Sequence, residues 1–210
     1  MLVARLIAER LARTVARRPV TVVVGPRQAG KTTLVRAALP DATYVPLDSF
    51  AQRASAQTDP EGFLRRLTRP LIIDEAQRVP ELLIAVKQLV DEDRRPGSFC
   101  LTGSADVFAN ASVAESLAGR ASYLQLLPLA ERELAGGSGS FVDDLLAAVD
   151  NARTAPALTH VDLLARTLRG GFPELWADRS IDATAFYRSY VATYLERDLQ
   201  GDAKFVAMTR

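Results

Sequence analysis

Short apolar runs alternate with helical patterns along residues 1–135. The run VTVVV at 20–24 is β-branched and too short for a helix, which is typical of a strand buried on both faces. Four further apolar runs end in polar residues: ATYVPL, PLIID, SFCLTGS and SYLQLL. Helical segments separate these runs, and the clearest is PELLIAVKQLVDED. The alternation predicts an α/β domain with a parallel sheet and helices on both of its faces.

The segment before the first predicted strand has apolar residues at three- and four-residue steps. They are Leu2, Leu6, Ile7, Leu11 and Val15. We expect an amphipathic helix that packs against the following domain and turns its arginines outward. An arginine-rich transit peptide is the alternative, although Glu9 does not fit one. No run in the sequence approaches the length of a transmembrane helix, so we expect no membrane insertion.

A flexible segment, GGSGS at 136–140, is followed by sequence that is helical in character and has no strand runs. We therefore predict a first domain over residues 1–135 and a small helical domain over residues 141–210. Three helices are expected there, from the runs FVDDLLAAVD, HVDLLARTLRGGFPEL and DATAFYRSYVATYLERDL. The last run carries an apolar stripe, which is more typical of packing than of ligand stacking. Its members are Phe186, Tyr190, Tyr194 and Leu195.

Composition adds limits on partners and location. With 210 residues, of which 48% are hydrophobic, the chain is long enough for one sizeable core and a small appended domain. Acidic and basic residues nearly cancel, at a formal +1, so net charge indicates neither a nucleic-acid nor a membrane partner. Binding to nucleic acid therefore stays open. The single cysteine, Cys100, lies in an apolar run, which is typical of a buried thiol in a reducing, cytoplasmic setting.

The sequence VGPRQAGKTT joins the first predicted strand to a helical pattern and has the spacing G-x-x-x-x-G-K-T at 25–32. At such a turn, backbone N–H groups and the helix N-terminus form a concave site for a di- or triphosphate. Lys31 is placed to reach the β- and γ-phosphates, and the Thr32 hydroxyl to ligate Mg²⁺. We therefore predict a nucleotide-phosphate loop. Its residues are Gly25, Pro26, Arg27, Gln28, Ala29, Gly30, Lys31, Thr32 and Thr33.

An acidic pair follows a buried run in LIIDEAQ. Asp74 stands at the carboxyl end of the predicted strand, where open α/β sheets bind their ligands. We predict that Asp74 holds Mg²⁺ opposite Thr32, and that Glu75 is the general base that polarises the attacking water. An acidic pair capping a helix is the plainer alternative. The phosphate loop upstream favours the hydrolytic pair.

A third run, LTGSAD, ends a predicted strand with two hydroxyl residues, Thr102 and Ser104. A hydroxyl at this position could orient the lytic water beside the γ-phosphate. The alternative is a turn in which Gly103 supplies the bend and Ser104 caps a helix. The residues alone leave both interpretations open.

Taken in order, GPRQAGKTTL, IIDEAQRVPELL, LTGSADVF, ESLAGRASYLQLLPL and GGFPE resemble the AAA-type ATPase module of a prokaryotic family of ATP-binding proteins. The resemblance covers nearly the whole chain. It implies an additional-strand P-loop NTPase fold, a three-layer sandwich whose parallel five-stranded sheet has the order 5-1-4-3-2. It also implies ATP and Mg²⁺ as ligands. The site residues that it implies are Lys31, Thr32, Asp74, Glu75 and Ser104, in the roles given above.

The resemblance also bears on Arg120 and on the end of the chain. Arg120 in SLAGR stands where such ATPases carry an arginine that contacts the γ-phosphate, in cis or from a neighbouring subunit. A solvated surface arginine is the alternative. In the family, YLERDL leads into a C-terminal domain of unknown function. The sequence ends soon after YLERDL, so we expect a truncated member whose C-terminal helix mediates self-association or contacts a partner protein.

The expected function is Mg²⁺-dependent hydrolysis of ATP to ADP and phosphate, which drives a conformational change. The alternative is an ATP-dependent binding module or regulatory switch, antitoxin-like, with little turnover. Glu75 favours the enzyme, because a pure binder needs no base after Asp74. The sequence has no N-K-x-D-like run to read guanine, which favours ATP over GTP. DEAQ suggests a helicase, but no further helicase motif accompanies it.

Overall fold

The computed structural model describes residues 3–103, 117–137 and 159–201, with side chains as far as residue 193. The chain divides into two compact units, residues 2–139 and 140–210. The first unit contains a single five-stranded sheet with helices around it, and the second unit is helical over its described residues.

The sheet of the first unit is entirely parallel. Its strands are β1 Val20–Val24, β2 Thr43–Pro46, β3 Leu71–Asp74, β4 Phe99–Gly103 and β5 Ala121–Gln125. They are ordered β2-β3-β4-β1-β5, so β4 lies between β1 and β3. The predicted α/β class and the sheet order 5-1-4-3-2 are both confirmed.

The helices of the first unit begin and end as follows: α1 Ala8–Val15, α2 Lys31–Ala38, α3 Phe50–Thr58, α4 Pro60–Arg65, α5 Glu81–Glu92 and α6 Glu131–Leu134. A 3₁₀ turn at Ala76–Arg78 follows β3. The start of α4 shows how local sequence fixes such a boundary. Pro60 occupies the first turn, and the Asp59 carboxylate accepts a hydrogen bond from Gly62 N at 2.8 Å.

Two apolar layers enclose the sheet. On one face, residues of α1 and α2 pack with Val23, Ile72 and Cys100. On the other face, residues of α3, α4 and α5 pack with neighbours such as Val22 and Ile73. Adjacent strand residues therefore point into opposite layers, which explains why the strand runs are continuously apolar instead of alternating. The predicted three-layer sandwich is confirmed.

The N-terminal helix lies on the α2 side of the sheet, but it is shorter than its pattern predicts. It begins at Ala8, and residues 5–7 form a turn before it. Leu11 is fully buried and Val15 is 9% exposed, so both contribute to the same apolar layer as β1. The expectation that all arginines of this segment face outward is wrong for Arg5, whose side chain is only 9% exposed.

Cys100 is buried in the layer beneath α1 and α2, as its apolar context predicts. Burial raises the pKa of its thiol to about 12, so the side chain is a protonated, apolar packing element at neutral pH. Across the described parts of the chain, no helix combines the length and the apolar character needed to cross a bilayer.

The second unit has three helices over its described residues: α7 His160–Arg169, α8 Pro173–Ala177 and α9 Ala183–Gly201. The predicted run HVDLLARTLRGGFPEL forms two helices, α7 and α8, which are separated within GGFPE. The predicted helix FVDDLLAAVD lies outside the described residues. Phe172, just before α8, packs on the aromatic face of α9. Its ring centroid is 5.5 Å from that of Phe186 and 4.8 Å from that of Tyr190. These members of the stripe are packing residues.

We expect Leu11→Ala to lower the free energy of unfolding by about 2–5 kcal/mol, because it removes a fully buried side chain from the α1 layer. Arg10→Ala on the exposed face of the same helix is the matched control and should change it by less than about 0.5 kcal/mol. Urea denaturation of the full chain measures both. Equal effects of the two substitutions would show that α1 is not part of the folded core.

Candidate functional site

The residues of the predicted phosphate loop and the predicted acidic pair lie at one edge of the sheet. Because the strands are parallel, the carboxyl ends of β1, β3 and β4 meet there. β1 runs into the loop at residues 25–30, which continues into α2, and Asp74 is the last residue of β3. This is the edge where open α/β sheets bind ligands.

The loop has a backbone that depends on its two glycines. Gly25 packs so closely against the end of β5 that a Cβ there would overlap the carbonyl oxygen of Leu126. Gly30 has a φ of 92° and is the N-cap residue immediately before α2. A side chain at either position would require the loop to shift. Gln28 also has a positive φ, of 60°, so the chain turns twice within six residues. Such a turn exposes successive backbone N–H groups on its concave side.

Other loop residues differ in exposure. Ala29 is buried, whereas Arg27, Gln28 and Thr33 are exposed. Lys31 is only 6% exposed, and its ammonium lies against the loop, donating to Gly25 O at 2.9 Å and to Pro26 O at 3.0 Å.

The charge of Lys31 has two opposing influences. Burial lowers the pKa of its ammonium, and the nearby carboxylates of Glu75 and Asp74 oppose that shift. The ammonium and both predicted acidic residues thus interact at this edge of the sheet.

Asp74 has hydroxyl donors from three different elements. Thr32 Oγ1, on α2, lies 3.0 Å from Oδ1 and 2.9 Å from Oδ2. Tyr44, on β2, donates to Oδ2 at 2.7 Å, and Thr102, on β4, donates to Oδ1. Burial and the bond to Asp74 raise the pKa of Tyr44, so its hydroxyl remains a donor at neutral pH. The carboxylate is 7% exposed and its orientation is fixed by these bonds.

Glu75 leaves the strand in an unusual conformation. Its φ is 57° and its ψ 46°, in the left-handed region that non-glycine residues adopt at some energetic cost. Its backbone N–H donates to Thr102 Oγ1 at 3.2 Å, and its carboxylate accepts a hydrogen bond from the Gln77 amide. Glu75 thus follows Asp74 at the carboxyl end of β3, the edge that carries the loop.

The donor set fits Mg²⁺ held together with a phosphate. Thr32 and Asp74 supply hard oxygen atoms at one place, which is the ligand chemistry of this ion. Among the described residues, no group of three or more His, Cys, Asp or Glu side chains could hold a metal on its own. Mg²⁺ is commonly bound in this way, through one or two carboxylates, substrate phosphates and water.

The structure does not bring every predicted residue to this edge. Ser104 lies outside the described residues. Thr102 has its hydroxyl on Asp74 and is fully buried, so it supports the acidic residues instead of presenting a free hydroxyl.

Arg120 precedes β5, whose first residue is level with Val20 at the start of β1. It therefore lies at the opposite edge of the sheet, a strand length of roughly 17 Å away from the loop. Its guanidinium pairs with Asp91 at 2.6 and 2.8 Å. Arg120 of the same chain thus takes no part in the site, which removes the predicted role in cis, while the role from a neighbouring subunit stays a prediction.

Sequence reasoning missed Arg5. Its guanidinium donates to Ala29 O in the loop at 2.8 Å and to Leu127 O at 2.5 Å, and it pairs with Glu133 at 3.1 Å. The Glu133 carboxylate, 5% exposed on its side chain, also accepts Leu6 N at 2.7 Å and Ala130 N at 2.9 Å. The arginine therefore ties the N-terminal segment to the loop and to α6. The only signal in the sequence was an arginine near the start of a segment whose arginines were expected to face outward.

A parallel three-layer sandwich with a glycine loop between β1 and α2, and a Thr–Asp pair across from it, defines a P-loop NTPase domain. Residues 17–135 match the protein family described as AAA domain. This match covers more than half of the 210-residue chain, and the chain belongs to that family.

Two curated relatives are uncharacterised proteins of Mycobacterium bovis and Mycobacterium tuberculosis. Each is 36% identical to this chain over 199 residues, covering 91% of this chain and 38% of the relative. The chain thus spans less than half the length of these relatives. Solved structures with a similar fold include a Walker-type ATPase of Pyrococcus abyssi, with 16% identity, a TM-score of 0.46 and coverage of 92% of this chain and 72% of that one. AMPPCP-bound DnaA from Aquifex aeolicus has 11% identity, a TM-score of 0.47 and coverage of 93% and 63%.

We expect Arg5→Ala to lower the free energy of unfolding by about 3 kcal/mol, because it leaves the Glu133 carboxylate buried without its counter-charge. The control is Arg13→Ala, which removes an exposed pair with Glu9 and should cost less than about 0.5 kcal/mol. Thermal and urea unfolding measure both. The double variant Arg5→Ala, Glu133→Ala should lose less than the sum of the two single changes; strict additivity would show that the pair is not coupled.

Proposed function

We propose that the chain is a Mg²⁺-dependent ATPase domain that hydrolyses ATP to ADP and phosphate. The observation that carries the proposal is the bond between Thr32 and Asp74 across the mouth of the glycine loop. It joins the hydroxyl expected to ligate the metal to the carboxylate expected to hold its hydration shell, and the Lys31 ammonium lies beside the same loop.

Binding is assigned to the loop and to Lys31. The concave backbone at residues 25–30 and the N-terminus of α2 favour a polyphosphate. The Lys31 ammonium, which donates to two loop carbonyls, has the charge and reach to donate to β- and γ-phosphate oxygens. When bound, Mg²⁺ supplies charge neutralisation at those oxygens. Thr32 and Asp74 are the residues that would hold it.

Hydrolysis is assigned to Glu75 as general base. Its carboxylate follows Asp74 at the same edge, and Thr102 fixes its backbone N–H. A carboxylate so placed can accept a proton from an attacking water and orient that water. Ser104 remains the candidate for orienting the lytic water, and a neighbouring copy's Arg120 remains the candidate for contacting the γ-phosphate.

A second candidate function is an ATP-dependent binding module or switch with little turnover. The contact that favours it is the hydrogen bond from the Gln77 amide to the Glu75 carboxylate, which occupies an oxygen that a general base would use. In that case the bound nucleotide would control contacts to a protein or nucleic-acid partner, and Glu75 would not cycle a proton.

The proposal extends to the organisation of the chain. We assign residues 1–135 as the ATPase domain and residues 141–210 as a helical lid or linker that responds to nucleotide turnover. The division of the chain into two compact units supports it.

A phosphate-release assay distinguishes the ATPase from the switch. The parent chain is tested with ATP and with GTP, each with and without DNA, so the assay also measures any response to DNA.

We expect Lys31→Ala to abolish binding of a fluorescent ATP analogue, since the variant loses the main side-chain charge at the phosphates. Lys87→Ala on α5 is the control and should bind like the parent. Circular dichroism confirms that both variants are folded. Unchanged affinity in folded Lys31→Ala would refute the phosphate-loop assignment.

We expect Glu75→Gln to bind ATP normally and to release phosphate at least about a hundredfold more slowly, because the amide keeps the shape of the side chain but cannot accept the proton. Glu81→Gln, at an exposed position on α5, controls for the loss of one carboxylate. Hydrolysis by Glu75→Gln at the parent rate would remove Glu75 as the base. A parent that binds ATP without measurable turnover would favour the switch.

A further inference from the structure

Asp74 is held from both sides of its strand. β3 lies between β2 and β4, and each neighbour contributes one hydroxyl to the carboxylate: Tyr44 from β2 and Thr102 from β4. In the strand register, Tyr44 is level with Ile72, and Pro46 is level with Asp74. Tyr44 and Asp74 therefore point to the same face of the sheet, and the length of the tyrosine side chain spans the two-residue offset.

The ring of Tyr44 is itself held in place. The guanidinium of Arg36, on α2, lies 4.8 Å from the centroid of the tyrosine ring. The side chain thus lies between the helix that begins at the loop and the strand that ends in Asp74, with its hydroxyl 2.7 Å from Oδ2. An arrangement fixed at both the ring and the hydroxyl limits the orientations open to the carboxylate.

The three hydroxyl donors of Asp74 have different roles in the proposed metal site. Thr32 Oγ1 would give a lone pair to Mg²⁺, and only its proton would stay available to Asp74. Thr102 and Tyr44 have no such second assignment. The Tyr44 and Thr102 hydroxyls are then the described side-chain donors that keep the Asp74 oxygens aimed at the metal, which is how supporting residues act in metal sites.

We propose that Tyr44 is a positioning residue for the metal site, acting through Asp74. This inference rests on the proposed nucleotide function of the site. Tyr44 is outside the glycine loop and outside the acidic pair, and its contribution is to metal binding instead of direct contact with the nucleotide.

The test compares nucleotide affinity with and without Mg²⁺. A fluorescent, non-hydrolysable ATP analogue is titrated into the parent and into Tyr44→Phe, in excess Mg²⁺ and in EDTA. The ratio of the two affinities reports how strongly metal supports binding. We expect Tyr44→Phe to reduce that ratio by about tenfold, the lower range for losing a supporting hydrogen bond at a metal site. Its affinity in EDTA should equal that of the parent.

Tyr123→Phe is the matched control, because it removes a hydroxyl from an exposed tyrosine of β5 in the same sheet. Its ratio should equal that of the parent. Loss of a merely structural contact would lower both affinities together and leave the ratio unchanged. Electron paramagnetic resonance of free Mn²⁺, titrated into protein with saturating analogue, gives a second measurement of metal affinity. That affinity should fall by the same factor in Tyr44→Phe.

An unchanged ratio in Tyr44→Phe, with a parent that responds to Mg²⁺, would overturn this inference alone. A parent that binds no analogue, or binds it equally well in Mg²⁺ and EDTA, would refute the proposed function together with it. A reduced ratio with unchanged EDTA affinity supports the positioning role.

Discussion

The site depends on the hydrogen bonds that three hydroxyl groups donate to one buried carboxylate, that of Asp74. Asp74 is 7% exposed, and a charge so far from water is tolerated only when it is hydrogen-bonded. The donors come from α2, β2 and β4, so the carboxylate links three elements whose donors lie 42, 30 and 28 residues from it in the sequence. Sheet order makes this arrangement available, since β3 lies between the two strands that supply Tyr44 and Thr102.

The fold was largely predictable because its signals are local. A β-branched run such as VTVVV needs two covered faces, and the covered faces are present as two apolar layers. The positions of the glycine loop and of Asp74 were also predictable, because parallel strands bring their carboxyl ends to one edge of the sheet. The boundaries were less predictable. α1 begins at Ala8, six residues after the first apolar position of its pattern, because residues 5–7 form a turn that leads into contacts with α6.

The supporting residues of the site were not predictable from local patterns. Arg5 contacts Ala29, 24 residues away, and Glu133, 128 residues away, and nothing in a helical periodicity encodes such partners. In the sequence pattern, Tyr44 is one residue of an apolar run that forms an edge strand, although its hydroxyl donates to a carboxylate 30 residues later. For Arg120 only the predicted role in cis is wrong, and the role from a neighbouring subunit stays a prediction. Its place in the sequence matched the resemblance, but the start of β5 lies at the far edge of the sheet.

The ion pair between Arg5 and Glu133 couples the phosphate loop to the position of α6. One guanidinium is shared between a loop carbonyl and a carboxylate on that helix, so displacement of α6 would strand a buried charge at a cost of several kcal/mol. α6 is the last described helix of the first unit in the sequence. The first and last described segments of that unit are thus joined to the rim of the loop through one side chain, and the two segments cannot separate without breaking its bonds.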